Sequence, residues 1–157
     1  MHDLGKSAVD DAVLRKTGKF TDEEYEKMKA HSKEGARIVE EVIKPGENEE
    51  FKQIAINVAH FHHEKWNGKG YPEGLKGVEI PLCARIMAVA AVFDAISSSR
   101  CYREAMPLET CYDILRKGRG EDFDPDGVDA FLSDTQQVER IYYQMIDKRK
   151  VKDEVRA

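Results

Sequence analysis

Hydrophobic positions recur at helical spacing along most of this chain. In the segment that begins near Glu49, apolar residues occupy positions i, i+3, i+4, i+7 and i+8. These residues are Phe51, Ile54, Ala55, Val58 and Ala59. His62 is the next position of the series, so we expect its imidazole on the buried face of the helix. No segment alternates convincingly between apolar and polar residues, as a half-buried strand does. The pattern therefore predicts an all-α fold.

Helix start and stop signals divide the chain into further elements. Thr21 and Glu24 have the spacing of a capping box, which predicts a helix over 22–30. Ser32 then predicts the start of a second helix, which ends at Ile43. Other predicted helices cover 81–96, 107–117, 125–133 and the segment from 135 into a charged tail at 147–157. Residues 67–79 form a glycine-rich loop, in which the backbone can approach a ligand closely.

Composition narrows the classes of partner. The 157 residues include 25 Lys and Arg against 30 Asp and Glu, a net charge of -5. This balance argues against DNA or RNA as a partner, because nonspecific nucleic-acid binding needs a basic face. The longest apolar stretch, 80–96, contains Arg85 and Asp94 and is too short for membrane insertion. No signal peptide is recognisable and the three cysteines fit no metal or redox motif, so we expect a cytoplasmic protein with reduced thiols.

The histidines are the candidate chemistry. All five lie within the first 63 residues, at positions 2, 31, 60, 62 and 63. His2 is followed by Asp3, and the pair His62-His63 is followed by Glu64, which we expect to be a solvated or capping group. Imidazole and carboxylate together suit iron, manganese, nickel or zinc. Spacing alone leaves two interpretations open, a metal site or histidines scattered over separate helices.

Longer motifs resemble a known family. The segment His2–Lys6 resembles the HD-x-GK motif of HD-domain phosphohydrolases, and His62–Pro72 resembles the HHE-x-x-DG-x-GYP signature of the HD-GYP subfamily. Residues 84–95, 98–103 and 123–125 follow the same family, so the resemblance extends from residue 2 to about 133. It implies an HD-domain-like helical bundle over 1–133, followed by a C-terminal amphipathic helix and charged tail over 134–157. We call residues 67–79 the GYP loop.

The resemblance also implies a function and a set of site residues. The family is known for bacterial signalling enzymes that hydrolyse cyclic di-GMP with two or three metal ions. Carried over by position, the metal ligands are His2, Asp3, His31, His62 and His63. Asp3 would bridge two metals and, with Lys6, count as catalytic, while Tyr71, Arg100 and Arg103 would bind the nucleotide. The implied cofactor is a divalent metal, iron or manganese in the first place and nickel or zinc as alternatives.

The sequence also departs from the family. Ala91 stands where the family has a metal-binding Asp, and a methyl group cannot coordinate a metal. Asn67 replaces the Asp of the DG-x-GYP motif, and Ser99 and Cys101 replace an Asp and a Pro. The family also has helices ahead of its HD motif that supply a further histidine, whereas this sequence opens at Met1. We therefore expect fewer or more weakly held metals, and a phosphodiesterase activity that is reduced or lost.

Three functions stay open on these grounds. The first is a metal-dependent phosphodiesterase acting on cyclic di-GMP. The second is a catalytically degenerate module that binds a cyclic dinucleotide. The third is a protein-interaction module that contacts a signalling protein through the GYP loop or the last helix. Missing N-terminal helices would also uncover apolar surface on residues 81–96, so we expect a homodimer or a domain-swapped oligomer.

Overall fold

The computed structural model describes residues 1–44, 46, 48–99 and 104–154, with the backbone alone for 146–154. Short 3-10 helices cover Leu4–Ala8 and Gly77–Glu79. The α-helices in the described part are α1 (Asp11–Leu14), α2 (Asp22–Val42), α3 (Glu49–Phe61), α4 (Leu82–Ser97), α5 (Leu108–Gly118), α6 (Pro125–Leu132) and α7 (Thr135–Glu154). Within these residues, β pairing is limited to isolated bridges. The predicted all-α class is confirmed.

Helix α2 is continuous where two helices were predicted. Its start has the predicted capping box: the Thr21 hydroxyl accepts from the Glu24 amide at 3.2 Å, and the Glu24 carboxylate accepts from the Thr21 amide at 2.7 Å. The predicted break before Ser32 is wrong, because the helix runs on to Val42. His31 and Ser32 are 1% and 0% exposed. Burial of this helix face outweighs the local preference of serine for a cap position.

The N-terminal segment lies against α2 through a glycine contact. Gly5 is buried, and a Cβ at this position would overlap the His31 carbonyl group and the Gly35 amide nitrogen. Glycine therefore permits the backbone approach that brings Asp3 beside His31. Helices α2 and α3 pack against each other through buried aliphatic residues. These are Ala36, Val39, Ala55 and Ala59.

A second core joins α4 to α5 and α6. Its buried members are Ala88, Val89, Phe93, Cys111, Tyr112, Leu115, Phe123 and Val128. An ion pair between Arg85 and the nearly buried Asp124, at 2.5 Å, connects α4 to the N-cap of α6. The opposite face of α4 is not buried: Leu82 and Ile86 are 59% and 56% exposed. Helix α4 is therefore buried on one face and exposed on the other.

Helix α7 docks on α4 through Tyr142, whose hydroxyl donates to the Ser97 carbonyl at 2.8 Å. Ile141 and Met145 on this helix are each 47% exposed. The division of the chain at residues 133 and 134 stays a prediction. In the part of the chain that the structure describes, none of the helices combines the length and apolar character that crossing a bilayer requires.

Candidate metal centre

Four predicted ligands converge at the junction of α2, α3 and the N-terminal segment. Asp3, His31, His62 and His63 each offer one ligand atom, and these atoms all lie within 4.8 Å of one another. Asp3 caps the first 3-10 helix, His31 lies in the middle of α2, and the histidine pair follows the last turn of α3. His31 and His62 are buried, as the helical periodicity predicted for His62.

Backbone carbonyls orient two of the imidazoles. Nδ1 of His31 lies 2.5 Å from the Met28 carbonyl oxygen, and Nδ1 of His62 lies 3.0 Å from the Val58 carbonyl oxygen. A carbonyl only accepts, so each Nδ1 carries the hydrogen and each Nε2 presents a lone pair. The two Nε2 atoms are 3.5 Å apart and lie 3.8 and 3.9 Å from one Asp3 carboxylate oxygen. Converging lone pairs repel each other, and a cation between them removes the repulsion. Metal-binding histidines have this second hydrogen bond as a rule, so the residues fit a metal.

The environment keeps the donor groups in the forms that bind metals. Burial, and then the neighbouring imidazoles, lower the pKa of His62 to about 4 and that of His63 to about 3. Burial also lowers the pKa of His31. Burial acts to raise the pKa of Asp3, but the Lys6 hydrogen bond and nearby positive charges bring that pKa below its usual value. Neutral imidazoles and an ionised carboxylate are therefore present at neutral pH, as metal coordination requires.

His2 lies at the edge of this group rather than within it. Its ring centroid is 5.1 Å from that of His62, and its Nε2 is 3.5 Å from the second Asp3 carboxylate oxygen. His2, Ala91 and Asp94 line one mainly apolar cavity of about 370 Å³ between α4 and α7. Ala91, where the resemblance implies an Asp, therefore faces the same space as His2.

Lys6 and Tyr71 flank the cluster. The Lys6 ammonium group donates to Asp3 at 2.7 Å. The Tyr71 ring stacks on His63 with centroids 4.7 Å apart and planes inclined by 21°. One ring face of Tyr71 thus contacts a candidate ligand, an arrangement that the sequence did not predict. Arg100 and Arg103, predicted to bind the nucleotide, lie outside the described residues.

Glu64 was missed as a site residue. It was expected to be solvated or capping, but it is 3% exposed. Its carboxylate accepts hydrogen bonds from the amides of Glu73, Gly74 and Leu75 at 2.7, 3.1 and 3.1 Å. It therefore fixes the GYP loop directly after Tyr71. The available signals in the sequence were its place in the HHE signature and its position between the histidine pair and a glycine-rich loop.

The all-α bundle and the clustered imidazoles with a carboxylate define a helical domain with a candidate metal centre. The chain belongs to the HD domain family, whose pattern matches residues 1–127. The relatives below confirm the resemblance to the HD-GYP subfamily.

Three relatives show the extent of the similarity. The chain is 44% identical to a probable cyclic di-GMP phosphodiesterase of Vibrio cholerae, over 87% of this chain and 31% of that protein. It is 44% identical to the cyclic di-GMP phosphodiesterase response regulator RpfG of Xanthomonas campestris, over 90% and 36% of the two chains. A cyclic di-GMP phosphodiesterase of Thermotoga maritima is 38% identical over 98% and 39%. The chain spans about a third of the length of these relatives.

Proposed function

We propose that this chain is a metal-dependent phosphodiesterase unit of HD-GYP type that acts on cyclic di-GMP. The observation that carries the proposal is the convergence of one carboxylate and three imidazoles within 4.8 Å. Relatives named as cyclic di-GMP phosphodiesterases support the choice of substrate. Iron or manganese is the proposed cofactor, with nickel or zinc as alternatives, because imidazole and carboxylate donors suit all four metals.

The residues around the cluster have distinct proposed roles. The proposed metal ligands are His2, Asp3, His31, His62 and His63. When bound, a divalent metal supplies Lewis acidity and an activated water for attack on the phosphodiester. Lys6, which donates a hydrogen bond to Asp3 at 2.7 Å, would lie at the substrate phosphate and either offset its charge or take part in proton transfer. Tyr71 would fix the His63 imidazole and contact the nucleotide, and Arg100 and Arg103 would bind guanine or phosphate.

A second function, cyclic-dinucleotide binding with reduced or lost catalysis, is favoured by Ala91. Its methyl group lines the cavity that His2 also lines, at the position where the family has a metal-binding Asp. Without that carboxylate, the cluster attracts cations less strongly. Binding of the dinucleotide through Lys6 and Tyr71 does not depend on the same group.

Metal content and hydrolysis, measured on the same protein, test the proposal. Protein purified without oxygen is analysed for metal per chain and then incubated with cyclic di-GMP and iron or manganese. We expect at least one metal per chain, and slow cleavage detected by chromatography. His63→Asn should lower the metal content. His60 lies outside the cluster, with its Nε2 3.2 Å from the Glu73 carboxylate, so His60→Asn should leave the metal content unchanged.

The outcomes separate the functions. Less than one metal per chain and no cleavage would refute the enzyme. Dinucleotide binding without cleavage would establish the second function. If neither occurs, a pull-down of signalling proteins with and without the GYP loop tests the protein-interaction module.

Ala91→Asp tests the role of this position. The added carboxylate should raise the metal content per chain, because it brings a ligand and a negative charge into the cavity beside His2. Ala130→Asp, on an exposed position of α6, adds the same charge away from that cavity and serves as the control. Equal metal content in the two variants would contradict the assignment of Ala91.

The predicted partners and location belong to the same proposal. A homodimer or domain-swapped oligomer, a signalling protein at the GYP loop and a cytoplasmic location all remain predictions. The exposed Leu82 and Ile86 on α4 support self-association, because paired apolar side chains on a surface favour contact. Light scattering at rising protein concentration tests this, and a monomer at high concentration would contradict it.

A further inference from the structure

Beside the metal cluster, α2 presents an aromatic and cationic surface to the GYP loop. The rings of Tyr25 and Tyr71 meet edge to face, with centroids 6.3 Å apart and planes inclined by 80°. The Lys29 ammonium nitrogen lies 5.2 Å from the Tyr25 centroid and 6.0 Å from the Tyr71 centroid. Tyr25 is 47% exposed, so solvent and ligands reach its ring. We propose that Tyr25 and Lys29 form a subsite for the second nucleotide of a cyclic dinucleotide whose first phosphate lies at the metal cluster.

Tyr71 connects the subsite to the cluster. Its ring lies 4.7 Å from the His63 ring and 6.3 Å from the Tyr25 ring. A shallow cavity of about 230 Å³ opens next to it, lined by Glu26, Lys29, Ala30, Lys33, Tyr71 and Pro72. A cyclic dinucleotide carries two phosphates and two bases on one covalent ring. When one phosphate is at the metals, the other half of the ligand therefore lies close by, and Tyr71, which stacks on His63, lines this cavity.

The two side chains have complementary chemistry for that half of the ligand. The exposed face of Tyr25 offers a stacking surface for a purine base, and such stacking tolerates any base. The Lys29 ammonium group offers a charge-assisted hydrogen bond to the second phosphate. Contact with two aromatic rings restrains this long side chain before the ligand arrives, and its side chain is only 24% exposed.

Glu26 competes with the proposed ligand for Lys29. Its carboxylate pairs with Lys29 at 2.5 Å, and its own side chain is 69% exposed. An ion pair whose carboxylate is this exposed contributes little net free energy, so a phosphate can replace the carboxylate at Lys29. A phosphate that binds Lys29 must compete with this carboxylate. Removal of the Glu26 charge should therefore strengthen dinucleotide binding, whereas the loss of a merely structural ion pair would leave it unchanged.

Equilibrium binding tests the subsite, which rests on the proposed function. The ligand is a non-hydrolysable phosphorothioate analogue of cyclic di-GMP, titrated calorimetrically into the metal-loaded chain, with GMP as a ligand that has a single phosphate. Tyr25→Ala should raise the dissociation constant of the analogue roughly 5- to 150-fold, the range for loss of one base stack. Tyr25→Phe keeps the ring, so its dissociation constant should stay near that of the wild type. Lys29→Gln should also weaken binding of the analogue, more than binding of GMP, and Glu26→Gln should strengthen it.

Lys27→Gln is the matched control for Lys29→Gln. Lys27 is exposed on the same helix, about 160° around its axis from Lys29. Its variant should bind the analogue within twofold of the wild type. If the Tyr25→Ala and Lys29→Gln variants bind the analogue as tightly as the wild type, or if Glu26→Gln weakens binding, the subsite is overturned while the proposed function stands. Failure of the wild type to bind or cleave any cyclic dinucleotide overturns both.

Discussion

Removal of the Glu64 carboxylate should detach the GYP loop from the end of α3. The two carboxylate oxygens accept hydrogen bonds from three backbone amides, those of Glu73, Gly74 and Leu75, at distances of 2.7 to 3.1 Å. With 3% exposure, Glu64 has little access to solvent that could replace these bonds. Glu64→Ala removes every acceptor at once. Glu64→Gln keeps one oxygen but turns an NH2 group toward an amide donor.

The magnitude follows from the hydrogen bonds. A hydrogen bond to a charged group contributes about 1.5–3 kcal/mol, although several bonds to one group do not add fully. Gly74 is exposed, so water reaches part of the loop in the variant and recovers some of this energy. We therefore expect Glu64→Ala to lower the free energy of unfolding by about 2–4 kcal/mol, and Glu64→Gln by about half as much. For a chain of this length, the loss expected for Glu64→Ala corresponds to a decrease of roughly 4–16 °C in the melting temperature.

Urea unfolding and amide hydrogen exchange measure the effect. The matched control is Glu40→Ala, an exposed position of α2, which should stay within about 0.5 kcal/mol of the wild type. In Glu64→Ala, the amides of residues 73–75 should lose protection by more than the global destabilisation explains. A Glu64→Ala protein as stable as the control, or a Glu64→Gln protein less stable than Glu64→Ala, would refute this account of the loop.

Two further predictions concern the cluster. Gly5→Ala should destabilise the protein by about 1–3 kcal/mol and lower its metal content, because the new methyl group overlaps the α2 backbone beside His31. Gly18 has open space around it, so Gly18→Ala should change neither quantity. Urea unfolding and metal analysis measure both. The metal-free protein should lose stability as pH falls from about 6.5 toward 4: His62 and His63 have folded-state pKa values of about 4 and about 3, so the unfolded chain binds more protons in this window. Thermal unfolding in chelator across that range measures this, and a melting temperature independent of pH would contradict it.

The helices were predictable from the sequence wherever local signals decide the structure. In α3, the spacing of apolar residues placed His62 on the buried face, and His62 is 3% exposed. In α2, the local signal failed at Ser32, because its capping preference competes with burial against other elements, which no window of sequence displays. The first 3-10 helix was missed for a similar reason. It depends on the contact of Gly5 with a helix about thirty residues away.

The candidate site was predictable in part. Residue spacing left a metal site and scattered histidines as equal alternatives, because His31 and His62 meet across 31 residues of sequence. The family resemblance selected the metal site, since it supplies positions rather than distances. Glu64 belongs to the HHE signature, but the resemblance assigned it no role. Its partners are backbone amides nine to eleven residues further on, and backbone amides leave no trace in the residue types.

Charge balance argues for one metal ion in this cluster rather than two. In the cluster that the described residues form, Asp3 is the one carboxylate, and Lys6 already pairs with it at 2.7 Å. The imidazoles of His62 and His63 are neutral at pH 7, since burial lowers their pKa values to about 4 and about 3, and burial also lowers the pKa of His31. A single divalent ion therefore meets one negative charge, which Lys6 offsets, and a second ion in the same cluster would add repulsion without a further carboxylate among the four ligands to reduce it. An Asp at position 91 would add a carboxylate to the cavity that His2 and Asp94 line, so Ala91→Asp should raise the metal content from about one ion per chain toward two.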